Sequence, residues 1–307
     1  MDKRIYTSEM IDTLKKHLNT IDKYITYPKF VFMCGKKRDE KYIESNRGVL
    51  EKFFKSKSND IHVVVSEYLW SDEFSNDIDL LTFEDFLAEI SDLIVLFVES
   101  FGTSCELGAF AYTDDLFDKK MLVVIDEKYK NDNSFISKGP VTKLEKDGCS
   151  VIYAKLDGSG LLASNELRSF VCEKTKSFSS KRELYNKIEP NSDEKRVNIK
   201  SFIMEILDLA TVLQPISKYD LLDFYKSVKG FSSFSFVKSN GTRFHKEIKY
   251  DYILRLLDSF GLIWIDDDTI TCDDMKIQSF LFLDKKETRN RERNRLLCRQ
   301  YRYKGQI

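Results

Sequence analysis

The sequence predicts an α/β protein in two parts: a mostly parallel sheet covered by helices on both faces, then a smaller α+β module that runs into a basic tail. Three observations predict it. Short apolar runs alternate with helical patterns through about residue 155, as parallel strands joined by helical crossovers do. After the polar stretch 177–195 the pattern becomes three helices and a hairpin, which is the order of a winged helix. Residues 285–307 carry nine lysines and arginines against Glu287 and Glu292, in a chain of 307 residues with a formal net charge of -1.

The elements follow in order. Residues 1–28 read as a helical lead-in, with Ile11, Leu14, Leu18 and Ile21 at helical spacing. Phe30 to Met33 predicts a buried strand stopped at Cys34-Gly35, and Ser45 to Phe54 a helix with Val49, Leu50, Phe53 and Phe54 on one face. His62 to Val65 is a second strand, Thr82 to Ile90 a helix, and Leu93 to Val98 a third strand, followed by a helix to about Asp115. Met121 to Ile125 and Val151 to Ala154 complete the sheet. Pro190-Asn191 marks a turn in the linker. Beyond it come helices at Ile199 to Leu213, after Ser217 as N-cap, and at Phe244 to Phe260. A hairpin from Gly261 to Thr271 turns at Asp266 to Asp268. The expected divisions are a first domain at 1–176, a linker at 177–195, the winged-helix-like domain at 196–284 and the basic tail at 285–307.

Composition removes several classes. Hydrophobic residues at 42% suffice for packed cores, and the near-neutral balance argues against a chain basic throughout. No apolar run approaches the ~18 residues that cross a bilayer, and MDKRIYTSEM has no apolar signal core. The expectation is a cytoplasmic protein without membrane contact. The six cysteines are scattered, with no C-x-x-C pair, and the three histidines stand far apart, so neither a disulfide framework nor a metal site is expected. There is no G-x-G-x-x-G, which leaves out the usual dinucleotide fingerprint.

The candidate chemistry lies in SDLIVLFVESFGTSCELGAFAY, Ser91 to Tyr112. An apolar strand feeds a turn at Gly102, and a helix is expected from about Thr103 with Glu106 in its first turn. Helix N-termini favour phosphates and ionised carboxylates, Gly102 allows close approach of backbone to ligand, and Thr103 and Ser104 add hydroxyls. Glu106 then reads as a nucleophile toward a sugar carbon, or as a stabiliser of an oxocarbenium ion. Thr103-x-x-Glu106 equally fits a capping box, in which the carboxylate only bonds back to the cap. Both readings stand on the sequence.

These residues carry a resemblance. Gly102-Thr103-x-x-Glu106-Leu107-Gly108-Ala109 after Asp92-Leu93-Ile94-Val95, with Met33-Cys34-Gly35 earlier, resembles the nucleoside deoxyribosyltransferase family over residues 28–155. The resemblance implies a flavodoxin/Rossmann-like fold and a glutamate, here Glu106, that attacks the sugar C1′. With the second module, and with Leu80 to Asp92 and Glu99 to Phe110, the chain resembles effector proteins of bacterial retrons. That implies an anti-phage toxin restrained by a reverse transcriptase and its multicopy single-stranded DNA/RNA hybrid, in a higher-order assembly. It also implies an N-glycosidase that hydrolyses NAD, as substrate and not as cofactor, to ADP-ribose and nicotinamide. The transferases carry an acid six positions before the nucleophile; here that position is Ser100. Nicotinamide leaves NAD without protonation, so the loss favours NAD, unless Glu99 or Asp92 supplies the proton. The alternatives are nucleoside or nucleotide transfer or hydrolysis, a non-catalytic nucleotide sensor, and a DNA-binding regulator.

The remaining candidates each have a plainer reading. Gly35 admits a phosphate or ribose to the first strand, or merely ends it. Arg47 pairs with a phosphate, or is a solvated helix-face residue. Glu84 is a second site carboxylate, or a surface one. Tyr68 and Trp70 stack on a base, or pack. Asn133 to Pro140 covers a site, or is a surface loop. Ser100 lines the base side. In the tail Arg289, Arg291, Arg293, Arg295, Arg299 and Arg302, with Tyr301 and Tyr303 among them, suit phosphate pairing and base stacking; a solvated terminus is the alternative.

Overall fold

The computed structural model describes residues 7–20, 24–25, 29–36, 42–58, 61–70, 78–112, 120–180, 183–184, 196–238, 241, 243–244, 246–280 and 285–304. The chain divides into two units, one of Lys29–Lys181 and one of Met1–Pro28 with Arg182–Ile307. The opening helix α1 (Ser8–Thr20) therefore groups with the later unit and does not lead into the sheet as expected.

The Lys29–Lys181 unit is built on strands β1 (Lys29–Cys34), β2 (Ile61–Val64), β3 (Leu93–Val98), β4 (Met121–Asp126) and β5 (Ser150–Ala154). All neighbours are parallel, in the order β2-β1-β3-β4-β5. β1 and β3 are buried along nearly their whole length. One face packs Val31, Met33, Val95, Phe97, Leu122 and Val124 against Leu50 and Phe54 of helix α2 (Asn46–Lys57) and Leu167 and Val171 of a later helix. The alternate residues Phe30, Phe32, Ile94, Leu96 and Val123 are buried on the other face. Both faces are thus covered, which is why these strands read as continuous apolar runs.

Caps set the helix starts. Ser45 accepts from the Gly48 N–H at 3.1 Å to begin α2. A short helix α3 (Ser66–Leu69) follows β2. Asp79 accepts from the Thr82 N–H at 2.8 Å to begin α4 (Leu80–Ile90). Helix α5 (Phe101–Ala111) follows β3. Helix α6 (Asn165–Ser180) had no counterpart in the sequence reading, and it carries the expected linker start at 177 inside a helix. The rest of that linker, apart from 183–184, lies outside the described residues.

In the second unit α7 (Ile199–Leu213) is buried almost throughout and capped by Asn198. Strand β7 (Ile216–Ser217) leads into α8 (Lys218–Lys229), where Ser217 is the N-cap and Gly230 at φ 70° ends the helix; strand β6 (Arg196–Asn198) precedes α7 and pairs in parallel with β8 (Ser235–Val237). The third helix, α9 (Tyr250–Ser259), starts later than expected. Arg243 is held extended in a bridge to Val237, and His245 lies outside the described residues. Strands β9 (Ile263–Asp266) and β10 (Thr269–Cys272) form the hairpin, and β7 adds to β10, giving an antiparallel sheet of order β9-β10-β7.

The residues read as a basic tail are a helix. After α10 (Asp274–Phe280), α11 (Lys285–Lys304) packs on α7 and α1. Asp208 of α7, 1% exposed, pairs with Arg291 and with His17 Nε2 at 2.8 Å. Asn294 bonds the other ring nitrogen of that histidine at 2.9 Å. Burial pushes the Asp208 carboxyl up, but His17 and Arg291 override it and hold it below its ordinary value.

Candidate active site at the carboxyl edge of the sheet

The strand order reverses between β1 and β3, and ligands of open α/β sheets bind outside the carboxyl ends of the strands at such a point. β1 ends there at Cys34 and β3 at Val98. Helices α2, α3, α4 and α5 bring Arg47, Glu67, Glu84 and Glu106 to this corner, where their charges and the Cys34 thiol act on one another.

Glu106 is not a capping residue. Helix α5 starts at Phe101, and its box is formed by Ser100 and Thr103. Ser100 Oγ accepts from the Thr103 N–H at 3.2 Å, and Thr103 Oγ1 accepts from the N–H groups of Ser100 and Glu99 at 2.9 and 3.1 Å. The expected Thr103–Glu106 box is thereby replaced by one three residues earlier, and Glu106 falls in the second turn. Its Oε2 is buried with no hydrogen-bond partner among the described residues. Burial first, then the charge of Glu67, raise its pKa, against the Cys34 thiol and Arg47.

The groups around it form a connected set. Arg47, 1% exposed, binds both Glu67 oxygens at 2.8 and 3.0 Å and also the Lys36 carbonyl. It is a buried structural cation, not the solvated residue that the sequence favoured. Glu99 accepts from the Lys36 N–H and from Asn46 Nδ2, both at 2.7 Å. Glu84, 3% exposed, accepts from Ser66 Oγ at 3.3 Å and is no surface residue either. Burial, and then Glu106, push its carboxyl up to about 8. The same carboxylates add to burial in raising the Cys34 thiol well above its usual range.

Other candidates move away from substrate. A Cβ at Gly35 would lie 2.9 Å from Arg47 Cδ and 3.1 Å from Glu99 Oε1, so this glycine makes room for side chains of the protein itself. Thr103 is buried with its hydroxyl committed to the cap, and Ser104 Oγ donates back to the Ser100 carbonyl at 3.0 Å. Gly102 is exposed at the helix start, beside Phe101 at 95%. The Trp70 ring packs 5.4 Å from Phe83, and the side chain of Tyr68 lies outside the described residues. Asp92 accepts from the Phe30 N–H at 3.0 Å at the amino end of the sheet, opposite Glu106. Asn133 to Pro140 includes a helical turn, with Phe135 exposed over Gly139.

The arginines of α11 fall into two sets. Arg291 is buried on Asp208, and Arg295 binds both oxygens of Asp274 at 2.7 and 2.6 Å. Both hold the fold and are not free for phosphate. Arg289, Arg293 and Arg299 are exposed, and the side chain of Arg302 lies outside the described residues. Among the described residues no group of three or more metal-ligating side chains occurs, and no helix is long and apolar enough to cross a membrane.

The fold and this corner define a mixed α/β protein whose acidic cluster sits at the carboxyl edge of a five-stranded parallel sheet. The chain belongs to the STM3845 retron effector protein family, whose sequence pattern matches residues 43–265. It is 35% identical over 117 residues (37% of the chain) to the "Retron Ec73 putative ribosyltransferase/DNA-binding protein" of Escherichia coli. It is 33% identical over 160 residues (52% of the chain) to the protein of the same description from retron Ec86 of that organism. These matches span 37% and 48% of the relatives' own lengths.

Proposed function

We propose that the chain is the toxic effector of a retron and cleaves the N-glycosidic bond of a nucleotide, on a flavodoxin-like core of the deoxyribosyltransferase class. The observation that carries this is Glu106: a carboxylate relieved of capping, at the crevice where the strand order reverses, with a buried oxygen that no protein group satisfies. Such an oxygen is placed to attack C1′ or to stabilise positive charge developing there. The ribosyltransferase wording of the relatives' names supports the same chemistry. NAD is the first substrate proposed, giving ADP-ribose and nicotinamide, because its quaternary base leaves without a proton and Ser100 cannot donate one usefully. No cofactor takes part. A second reading, hydrolysis of nucleosides or nucleotides with neutral bases, is favoured by the buried carboxyl of Glu84.

The second unit is proposed as a winged-helix-like module that meets the retron's reverse transcriptase or its DNA/RNA hybrid. Its helix order, its three-stranded antiparallel sheet, the exposed Arg289, Arg293 and Arg299, and the DNA-binding wording of the relatives' names support this. The test of the enzyme reading is direct. Purified chain is incubated with NAD, nucleotides and nucleosides, and released base is measured by chromatography beside Glu106→Gln. The variant should fall by about a hundredfold or more, the scale lost with a group that stabilises developing charge. Activity that survives in Glu106→Gln removes the assignment, and binding without any product makes the chain a sensor.

A further inference from the structure

Glu84 lies in the same corner as Glu106, and cleavage of NAD as proposed above makes no use of it. The groups that act on it come from every side of the cluster: Glu106 from α5, Cys34 from β1, Ser66 and Glu67 from α3, and Arg47 from α2 behind Glu67. Arg47 is committed to Glu67 and to the Lys36 carbonyl. Ser66 Oγ stands between two carboxyls, 3.3 Å from Glu84 Oε1 and 3.5 Å from Glu67 Oε2. The Glu67 side chain is 31% exposed. A buried acid is thus linked through a hydroxyl to a carboxylate at the surface, from which a proton can be replenished. With its carboxyl pushed up to about 8, Glu84 keeps its proton at neutral pH. One carboxyl group that holds a proton beside another that serves as the anion is the arrangement that glycoside cleavage uses.

We propose that Glu84 gives its proton to the departing base, which adds N-glycosides of neutral bases, purine nucleotides in particular, to the substrates of this site. The proposal rests on the N-glycosidase reading with Glu106. In the first step a Glu106 oxygen bonds to C1′ as the C1′–N bond breaks. The electron pair of that bond stays with the base, a ring nitrogen takes the Glu84 proton, and the base leaves neutral. In the second step water attacks C1′, the bond to Glu106 breaks with its electrons returning to that carboxylate, and the proton of the water restores Glu84. A pyridinium base already leaves neutral, so NAD cleavage needs only Glu106.

The test compares AMP and NAD with the full-length chain and with Glu84→Gln, following adenine and nicotinamide by chromatography, with circular dichroism to monitor folding. The wild type should release adenine from AMP at a rate that falls as pH rises through about 8, while nicotinamide release from NAD lacks that limb. Glu84→Gln should lower adenine release by about a hundredfold or more and leave nicotinamide release within about threefold. Equal losses on both substrates, no loss on either, or a wild type that cleaves NAD but not AMP overturns the proposal. If Glu84→Gln does not fold, the two wild-type pH profiles decide, and parallel profiles overturn it. Loss of both reactions in Glu106→Gln shows that the underlying reading stands even where this one fails. No base released from either substrate by the wild type removes both.

Discussion

Glu84→Gln also makes a thermodynamic prediction that needs no substrate. The carboxyl is 3% exposed, and burial first, then Glu106, raise it from the ordinary 4.5 to about 8. At ~1.36 kcal/mol per pH unit, that difference corresponds to about 5 kcal/mol. Because the folded value lies above the unfolded one, the contribution of this group to stability is fully present below pH ~4.5. It is lost as pH rises through about 8. Glutamine cannot ionise, so the variant lacks this loss. It leaves an amide to be satisfied beside Ser66, at about 1–3 kcal/mol, but that cost does not change with pH. The slope, and not the offset, is therefore the test. Urea midpoints at pH 4.5, 7 and 9, with unchanged m-values, should show the variant gaining on the wild type by several kcal/mol across the range. In a Glu106→Gln background the gain should shrink, since Glu106 is the second cause of the shift. Parallel stability curves for wild type and Glu84→Gln would show that this carboxyl is not held in its neutral form, and the proton-donor argument would lose its footing.

The remaining predictions are structural. Ser100→Ala should cost about 1 kcal/mol through loss of the α5 cap and leave base release within about threefold; a large drop in base release with intact stability would instead put Ser100 on the substrate. Asp208→Asn should destabilise the second unit by about 3–5 kcal/mol, since it strips the counter-charge from a buried arginine. Hydrogen exchange should then show α11 losing protection before α7, and unchanged exchange in α11 would refute the role given to this ion pair.

The sheet was legible because its strands are buried on both faces, so Leu93–Val98 stands out as an unbroken apolar run. Helix α6 had a readable stripe in Leu167, Phe170, Val171 and Phe178, but the polar residues between them masked it. The last helix was misread for a physical reason. Its inward face is carried by Arg291, Arg295 and Cys298, spaced four and three residues apart, and hydropathy cannot distinguish an arginine that has a buried partner from one in water. The signal that finds it lies elsewhere: Glu205 and Asp208 sit in the otherwise apolar α7. Buried carboxylates require partners, which here are Tyr225 and Lys229 for Glu205, and His17 and Arg291 for Asp208.

The site was legible in its strand, its turn and Glu106, but not in its caps or its second carboxyl. Two overlapping frames, Ser100-x-x-Thr103 and Thr103-x-x-Glu106, each have capping chemistry, and spacing alone does not choose between them. Ser100 prevails because both side chains of its box return to the backbone at the strand's end, which leaves the Glu106 oxygen unsatisfied. The argument from Ser100 to substrate assumed that an acid missing at that position is missing from the site. Crossover topology breaks that assumption, because α4 brings Glu84 to the carboxyl edge from a separate segment. Keeping Glu84 there is costly: a buried carboxyl beside a second one, with the nearby guanidinium committed to Glu67, is poorer for stability than an apolar side chain of the same size. A position that costs stability and shifts a carboxyl toward neutral pH is where catalytic acids are found.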